Sequence, residues 1–262
     1  MNIPIITRRS EKRKEKRELH KQYKSIRVNP YRRRLRVLCL HGHGSNDEIT
    51  NLQLFGLKLS REQACDLEFL NAPHVADRHM PGLEQYSEGG FYTWGGKKFS
   101  KEGNSDWEES LDFLAKYLKK NGPYDGVYGF SQGVTIITAF SNPMIWKKRF
   151  RLYQCPWKFA ILACGGGSWL LSNKDQILLD IPSLHIKGKR DFAYKDSTRI
   201  EERWRSDNRE SYTHKRGHEI DLRLLEREPK LGIMLHDFFD NIRRTTTHSF
   251  YSEDLIFMQS AE

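Results

Sequence analysis

The stretch Tyr124-Asp-Gly-Val-Tyr-Gly-Phe-Ser-Gln-Gly-Val-Thr-Ile-Ile-Thr138 holds a serine between two glycines, at the spacing Gly129-Phe-Ser131-Gln-Gly133. A β-like run leads into this serine and an apolar, helix-like run leads out of it. This context is what a G-x-S-x-G nucleophile elbow requires, because side chains flanking so sharp a turn would collide with the strand or the helix. The motif alone also arises by chance, so the strand and helix around it carry the prediction. We therefore expect Ser131 to be an exposed nucleophile at the end of a strand.

Strand-like and helix-like segments alternate along the rest of the chain. The expected strands are Leu35–Leu40, Asp66–Leu70, Phe159–Ala163, Ser183–Lys187 and Glu210–His214. The expected helices are Ile49–Leu59, Ser105–Leu118, Asp196–Trp204 and Leu231–Ile242. This alternation predicts an α/β fold in which helices cover both faces of a mostly parallel sheet. A chain of 262 residues suits one such core, and no internal linker divides it.

Two polar residues that follow later strands are candidate partners of Ser131. In open parallel sheets ligands bind beyond the carboxyl ends of the strands, so the residues just after each strand are the candidates. Asp191 follows the strand that ends at Lys187, and His218 follows the last strand. We expect His218 to be the general base and Asp191 the acid that orients it, with Asp196 as the alternative acid. The chain order Ser131, Asp191, His218 is that of the α/β-hydrolases.

The first predicted strand ends in a glycine-rich loop that can supply backbone N–H donors. The loop reads His41-Gly-His-Gly-Ser-Asn46. We expect the amide of His43 or Gly44, together with that of Gln132 at the start of the elbow helix, to form an oxyanion hole. His41 is expected to shape this loop and not to act as the base.

Residues 74–104 lose all periodicity and mix glycine with aromatic and charged residues. Loops of this length are more often functional than idle. We expect the loop to cover the elbow and to supply an apolar acyl pocket from Phe91, Tyr92 and Trp94. The alternative is a loop with a structural role only.

The positive charge of the chain lies at its N-terminus. Residues 1–36 hold 14 Lys and Arg against three Glu, a net charge of +11, whereas the whole chain carries +10. Residues 1–34, which we call the basic arm, offer almost no apolar face beyond Leu19, Tyr23 and Ile26. The arm is therefore a solvated tail, a contact for RNA or an acidic protein through residues 8–36, or a targeting segment.

Cysteine usage and hydropathy limit the class of protein. The four cysteines have no C-x-x-C spacing and no zinc pattern with histidine, and no secretory signal precedes them. We expect reduced thiols, no metal and no cofactor in an intracellular protein of the cytoplasm or nucleus, with the mitochondrion as a third compartment. No apolar run reaches the ~18 residues of a membrane span.

The quoted motifs together resemble the FSH serine hydrolases. The resemblance rests on Leu38-Cys-Leu-His-Gly-His-Gly-Ser-Asn46, Pro123-Tyr-Asp-Gly-Val-Tyr-Gly-Phe-Ser-Gln-Gly133, Ile181-Pro-Ser-Leu-His-Ile-Lys-Gly188 and Gly217-His218. These are small α/β-hydrolases that include the ovarian-cancer-gene-2 product and fungal esterases and thioesterases. The resemblance implies a compact α/β-hydrolase fold without a large lid domain, over residues 35–262, and the roles already given to Ser131, Asp191 and His218. Members usually carry an acidic residue or threonine before the catalytic aspartate, where this chain has Lys189-Arg190.

These observations predict a metal-free serine hydrolase that cleaves a carboxylic ester or thioester through an acyl-Ser131 intermediate. The alternative is a weakly active or non-catalytic hydrolase-fold subunit of a larger assembly, docked through the basic arm onto RNA or an acidic protein.

Overall fold

The computed structural model describes residues 5–27, 29, 31–95, 99–100, 103–171 and 177–259. Among these residues, no helix combines the length and the apolar character that crossing a membrane would need.

Among the described residues, six parallel strands form the central sheet. The strands are β1 Leu35–Leu40, β2 Cys65–Leu70, β7 Gly126–Phe130, β8 Phe159–Ala163, β9 Ser183–Gly188 and β10 Arg209–His214. Their spatial order is β10-β9-β8-β7-β1-β2. Two short antiparallel pairs lie outside this sheet, β3 His74–Val75 with β4 Tyr92–Thr93 and β5 Phe99–Ser100 with β6 Gly103–Asn104. The prediction of a parallel α/β sheet is confirmed, and no large lid domain accompanies it within the described residues.

Helices cover both faces of the sheet. The helices are α1 Ile5–Ser25, α2 Asp47–Leu57, α3 Leu59–Glu62, α4 Ser105–Asn121, α5 Gln132–Ser141, α6 Tyr194–Glu201, α7 Leu224–Arg227 and α8 Pro229–Gln259. Alternate residues of β1 point to opposite faces, as the strand geometry demands. Leu35 and Val37 pack with side chains of α2, α7 and α8, whereas Leu38 and Leu40 pack with those of α4, α5 and α6. The sheet therefore separates two apolar cores.

The strand order reverses at β1, and this fixes where a ligand can bind. The chain passes from β1 to β2 on one side and returns to β7 on the other, so that Leu40 of β1 lies beside Gly129 of β7. Ligands of open α/β sheets bind at such a switch point, beyond the carboxyl ends of the strands. The loop after β1 and the turn after β7 meet at this place.

The basic arm contacts the body of the protein at its C-terminal end. Tyr23 of α1 packs against the core near Gly232 of α8, and its hydroxyl donates to the carboxylate of Glu62 over 2.5 Å. Four arginines that follow α1 bind carboxylates of the body, in the pairs Arg32 with Asp240, Arg33 with Asp125, Arg34 with Asp66 and Arg36 with Glu68. Residues 10–18 are exposed, and so are Lys21, Lys24 and Arg27, so positive charge along α1 and just after it is available to a partner.

Candidate active site

The turn after β7 holds Ser131 in a backbone conformation that few side chains adopt. Ser131 has φ +52° and ψ −116°, and α5 begins at the next residue. The two flanking glycines are required by close packing. A Cβ on Gly133 would lie 2.4 Å from the carbonyl oxygen of Leu40, and one on Gly129 would lie 2.5 Å from Cδ1 of Ile137. The sequence therefore folds here into a strained turn that lifts Ser131 above the sheet edge.

His218 lies between Ser131 and Asp191. Its Nε2 lies 2.9 Å from Oγ of Ser131, and its Nδ1 lies 2.8 and 2.9 Å from the two carboxylate oxygens of Asp191. Because a carboxylate only accepts hydrogen bonds, Nδ1 carries the proton and Nε2 can accept the proton of the serine hydroxyl. The three side chains come from the ends of β7, β9 and β10, which the parallel sheet brings to one edge.

The surroundings of Asp191 keep its carboxylate ionised. Its side chain is 0% exposed, and that of His218 is 7% exposed. Burial opposes ionisation, but the hydrogen bond and charge of His218 and the N–H of Ala193, 2.7 Å from Oδ1, outweigh it. Together they hold the pKa of the Asp191 carboxyl below its usual range.

The other titratable candidates lie in different environments. Asp196 binds the hydroxyl of Ser168 and the N–H of Gly167, and not His218. His41 is fully buried, with Nε2 accepting from the N–H of Ala72 over 2.9 Å and Nδ1 donating to the carbonyl of Gly42 over 2.6 Å. Burial lowers the pKa of His41 to about 4, so its ring is neutral at pH 7.

One of the three predicted oxyanion donors, the amide of Gly44, already donates elsewhere in the structure. Gln132 is the first residue of α5, where backbone N–H groups have no partner within the helix. The loop after β1 runs beside the serine, because a Cβ on Gly42 would lie 3.0 Å from Cβ of Ser131. The prediction for Gly44 is corrected, since its N–H donates to the carbonyl of Tyr92 over 2.9 Å. His43 and Gln132 remain the candidates.

The aromatic residues of the 74–104 loop differ in what they can contact. Trp94 is 0% exposed in the core, and its indole N–H donates to the carbonyl of His41 over 2.9 Å. The prediction that Trp94 lines an acyl pocket is therefore corrected, because its side chain is enclosed by protein. Phe91 and Tyr92 are partly exposed, and the ring of Phe91 stacks on His79. Residues 96–98 and 101–102 of this loop lie outside the described residues.

Three residues near the site were missed from the sequence. Thr93 bonds both the ring of His43 and the side chain of Gln132, each over 2.9 Å, and no local pattern signals this role. Phe192 follows Asp191 directly and lays its exposed ring against His218, with 4.4 Å between ring centroids. Cys164 follows β8 and lies buried beside Asp191, a position that the rule of strand ends could have found.

Within the described part of the chain, one group has the side-chain types and spacing of a metal site. It consists of Cys164, Asp191 and His218, whose ligand atoms lie within 4.8 Å of one another. Two of its members already bind each other by hydrogen bonds. Burial raises the pKa of the Cys164 thiol, which disfavours the thiolate that a metal would need. The group fits the serine-activating arrangement better than a metal centre.

Similar proteins extend over most of the chain. The family described as serine hydrolase (FSH1) matches residues 31–222, which include Ser131, Asp191 and His218. Hydrolase phiM of a fungus is 31% identical over 206 residues, covering 74% of this chain and 91% of that protein. Esterase C25G4.2 of Caenorhabditis elegans is 29% identical over 167 residues, covering 60% of this chain and 73% of that protein. A Bacillus cereus carboxylesterase structure has TM-score 0.46 and 17% identity, covering 77% of this chain and 89% of that one.

Proposed function

Since this chain belongs to the serine hydrolase (FSH1) family and is a serine hydrolase of the esterase type, we propose that Ser131, His218 and Asp191 form its catalytic triad. The substrate is a carboxylic ester or thioester, and the reaction passes through an acyl-Ser131 intermediate. The observation that carries the proposal is the position of His218, with Nε2 2.9 Å from Oγ of Ser131 and Nδ1 bonded to both oxygens of Asp191.

The reaction proceeds in two half-reactions. Oγ of Ser131 attacks the acyl carbon while Nε2 of His218 takes its proton, and the N–H groups of His43 and Gln132 bind the oxyanion. His218 then gives that proton to the departing oxygen or sulfur, and the acyl group stays on Ser131. Water, deprotonated by His218, next attacks the acyl carbon; the bond from that carbon to Oγ breaks, His218 returns the proton to Oγ, and the acid is released. Asp191 stabilises the imidazolium in both halves.

Trapping the acyl-enzyme tests this proposal. The full-length protein is mixed with excess p-nitrophenyl acetate, and nitrophenolate release is followed from the first milliseconds. We expect a burst of about one equivalent per protein when deacylation is the slower half-reaction. Intact-mass spectrometry of the acid-quenched sample should find an added acetyl group, and peptide mapping should assign it to Ser131. An acetyl group on another residue, with none on Ser131, would contradict the proposal.

We also propose that residues 35–262 form the hydrolase domain, that residues 1–34 form a basic arm, and that residues 8–36 contact RNA or an acidic protein. Support for the contact comes from the exposed positive charges of residues 10–18. Binding of a labelled RNA should weaken steeply as salt rises from 50 to 200 mM, by about tenfold or more. Salt-independent binding would contradict this role. An intracellular location, in the cytoplasm or nucleus, remains a prediction.

A further inference from the structure

Cationic side chains gather on the two loops that carry Asp191 and His218. Lys189-Arg190 comes directly before Asp191, and Lys215-Arg216 comes shortly before His218. The loops are joined through their backbones, because the N–H of Lys189 donates to the carbonyl of His214 over 2.8 Å and that of Arg190 to Arg216 over 2.9 Å. The four cations therefore lie on one rim beside the triad, which we call the cationic rim (residues 189–190 and 215–216).

Positive charge on this rim is only partly neutralised. Glu219 and Asp221 both pair with Arg216, at 2.5 and 3.1 Å. No carboxylate of the described residues lies within ion-pair distance of Lys189, Arg190 or Lys215, and all three side chains are exposed. A partner that brings negative charge to the rim would meet cations whose charge is not already paired.

The first half of α1 extends the rim away from the triad. Lys12 and Lys16 line the same groove as Lys215 and Arg216, together with Glu15. The groove thus begins at the loop that carries His218 and continues between α1 and the body. Several cations are thus spread along the groove, which suits a ligand with several anionic groups better than one with a single charge.

The positions of His218 and of the oxyanion donors decide whether the acyl group or the leaving group of a substrate meets the cationic rim. The leaving atom must come within reach of Nε2 of His218, because this nitrogen protonates it. The acyl oxygen is held on the other side, at the amides of His43 and Gln132. The leaving group therefore passes over the loops of His218 and Asp191. There Phe192, 80% exposed and packed on the ring of His218, offers apolar surface to its carbon skeleton.

We propose that this site takes esters or thioesters whose leaving group carries phosphate groups, as in the acyl thioester of a phosphorylated nucleotide thiol. The inference rests on the proposed function, because it assigns a substrate class to the same triad. The cationic rim binds the phosphates and Phe192 contacts the linker between phosphate and thiol. The acyl group occupies the oxyanion side in the same way whatever the leaving group.

Two thioesters that share an acyl group test the inference. Hexanoyl-coenzyme A and S-hexanoyl-N-acetylcysteamine carry the same scissile bond, but only the first has phosphates. With the full-length protein at 50 mM salt, kcat/KM for the coenzyme A thioester should exceed that for the other by about tenfold or more, since each cation near a phosphate adds to the attraction. In 0.5 M salt the ratio should fall to about twofold, because exposed charges are screened.

Charge-removing variants locate the effect. Lys189→Gln and Lys215→Gln should each lower the ratio of the two kcat/KM values by about threefold at low salt. Lys119→Gln and Lys120→Gln are the matched controls, because these exposed lysines lie in the last turn of α4, which ends just before β7 begins. They therefore lie at the amino ends of the strands, whereas the cationic rim follows the carboxyl ends. The controls should leave the ratio unchanged.

The outcomes separate the inference from the proposed function. A ratio near one in a protein that hydrolyses both thioesters overturns the inference and leaves the triad standing. A high ratio that survives 0.5 M salt, or that falls equally in the Lys119 and Lys120 variants, also overturns it. Absence of acyl-Ser131 with both thioesters and with p-nitrophenyl acetate would overturn the proposed function, and the inference with it.

Discussion

Replacement of Asp191 by asparagine changes one charge at nearly constant volume, which makes its effect calculable from the contacts of the carboxylate. Oδ1 of Asp191 accepts from the N–H of Ala193 at 2.7 Å and lies 2.8 Å from Nδ1 of His218, while Oδ2 lies 2.9 Å from the same nitrogen. Asparagine offers one acceptor oxygen and one NH2 donor. Whichever way the amide is turned, its NH2 faces either Nδ1 of His218 or the N–H of Ala193.

The clash between the asparagine NH2 and the N–H of the His218 ring is removed when the ring proton lies on Nε2 instead of Nδ1. The neutral ring then presents an N–H to Ser131 and cannot accept the serine proton, and the imidazolium loses its carboxylate partner. The corresponding change in serine proteases lowers kcat about 10⁴-fold, which is about 5 kcal/mol of transition-state stabilisation. We expect a loss of this size from Asp191→Asn, with the fold retained because the shape is conserved.

Steady-state hydrolysis of p-nitrophenyl acetate at pH 7.5, with circular dichroism as a check of folding, measures this effect. Asp196→Asn is the control, because Asp196 contacts Ser168 and Gly167 and not His218. This control should keep most of the activity. If a folded Asp191→Asn variant lost less than about tenfold, or if Asp196→Asn lost more, the assigned acid would be wrong.

Three further predictions concern parts of the structure around the site. Trp94→Ala should cost about 3–5 kcal/mol of unfolding free energy by denaturant titration, because it empties a core position, and it should change kcat/KM for acetyl and hexanoyl esters by the same factor. Selective loss of the longer ester would contradict the buried role. The pKa of His41 is lowered to about 4, so its contribution to stability is complete above its unfolded pKa and is lost as pH falls towards 4. Relative to His41→Gln, the wild type should lose about 1.4 kcal/mol of unfolding free energy for each pH unit between pH 6.5 and 4. Equal dependence of the unfolding free energy on pH in the two proteins would refute this. Tyr23→Ala should weaken the docking of α1 by about 1–2 kcal/mol and speed tryptic cleavage within it. The control Tyr31→Ala, at an exposed residue, should not speed this cleavage. Equal rates of tryptic cleavage in the two variants would mean that Tyr23 does not hold α1 on the body.

The parts of the fold that follow from local pattern could be predicted from the sequence. The strands β1, β7 and β8 are short, largely apolar runs, and the elbow around Ser131 combines a strand, a sharp turn and a helix within 15 residues. The rule that ligands meet at the carboxyl ends of parallel strands was enough to select Asp191 and His218, which the structure brings together with the serine.

The errors arose where contacts between distant segments decide the outcome. The N–H of Gly44 is used by the carbonyl of Tyr92, 48 residues away, so a glycine-rich loop alone does not reveal which amides are available. Trp94 looked like a pocket residue in an irregular loop, yet Gln132 accepts its backbone N–H and fixes it in the core.

The basic arm illustrates the same limit. Leu19, Tyr23 and Ile26 form too narrow an apolar stripe to predict a packed helix, and these residues together with His20 are the half-buried ones among residues 10–27. Their docking depends on Glu62 and on the small Gly232, neither of which can be associated with the arm from sequence alone.

Labelling with a fluorophosphonate probe tests the central claim most directly, because the probe reacts with a serine only when a neighbouring base activates it. The full-length protein and Ser131→Ala are incubated with the probe at pH 7.5, and the modified peptide is identified by mass spectrometry. We expect stoichiometric labelling of Ser131 in the wild type, and loss of both label and esterase turnover in the alanine variant. Labelling of the alanine variant at the wild-type level, or turnover that survives the substitution, would contradict the assignment of Ser131 as the nucleophile.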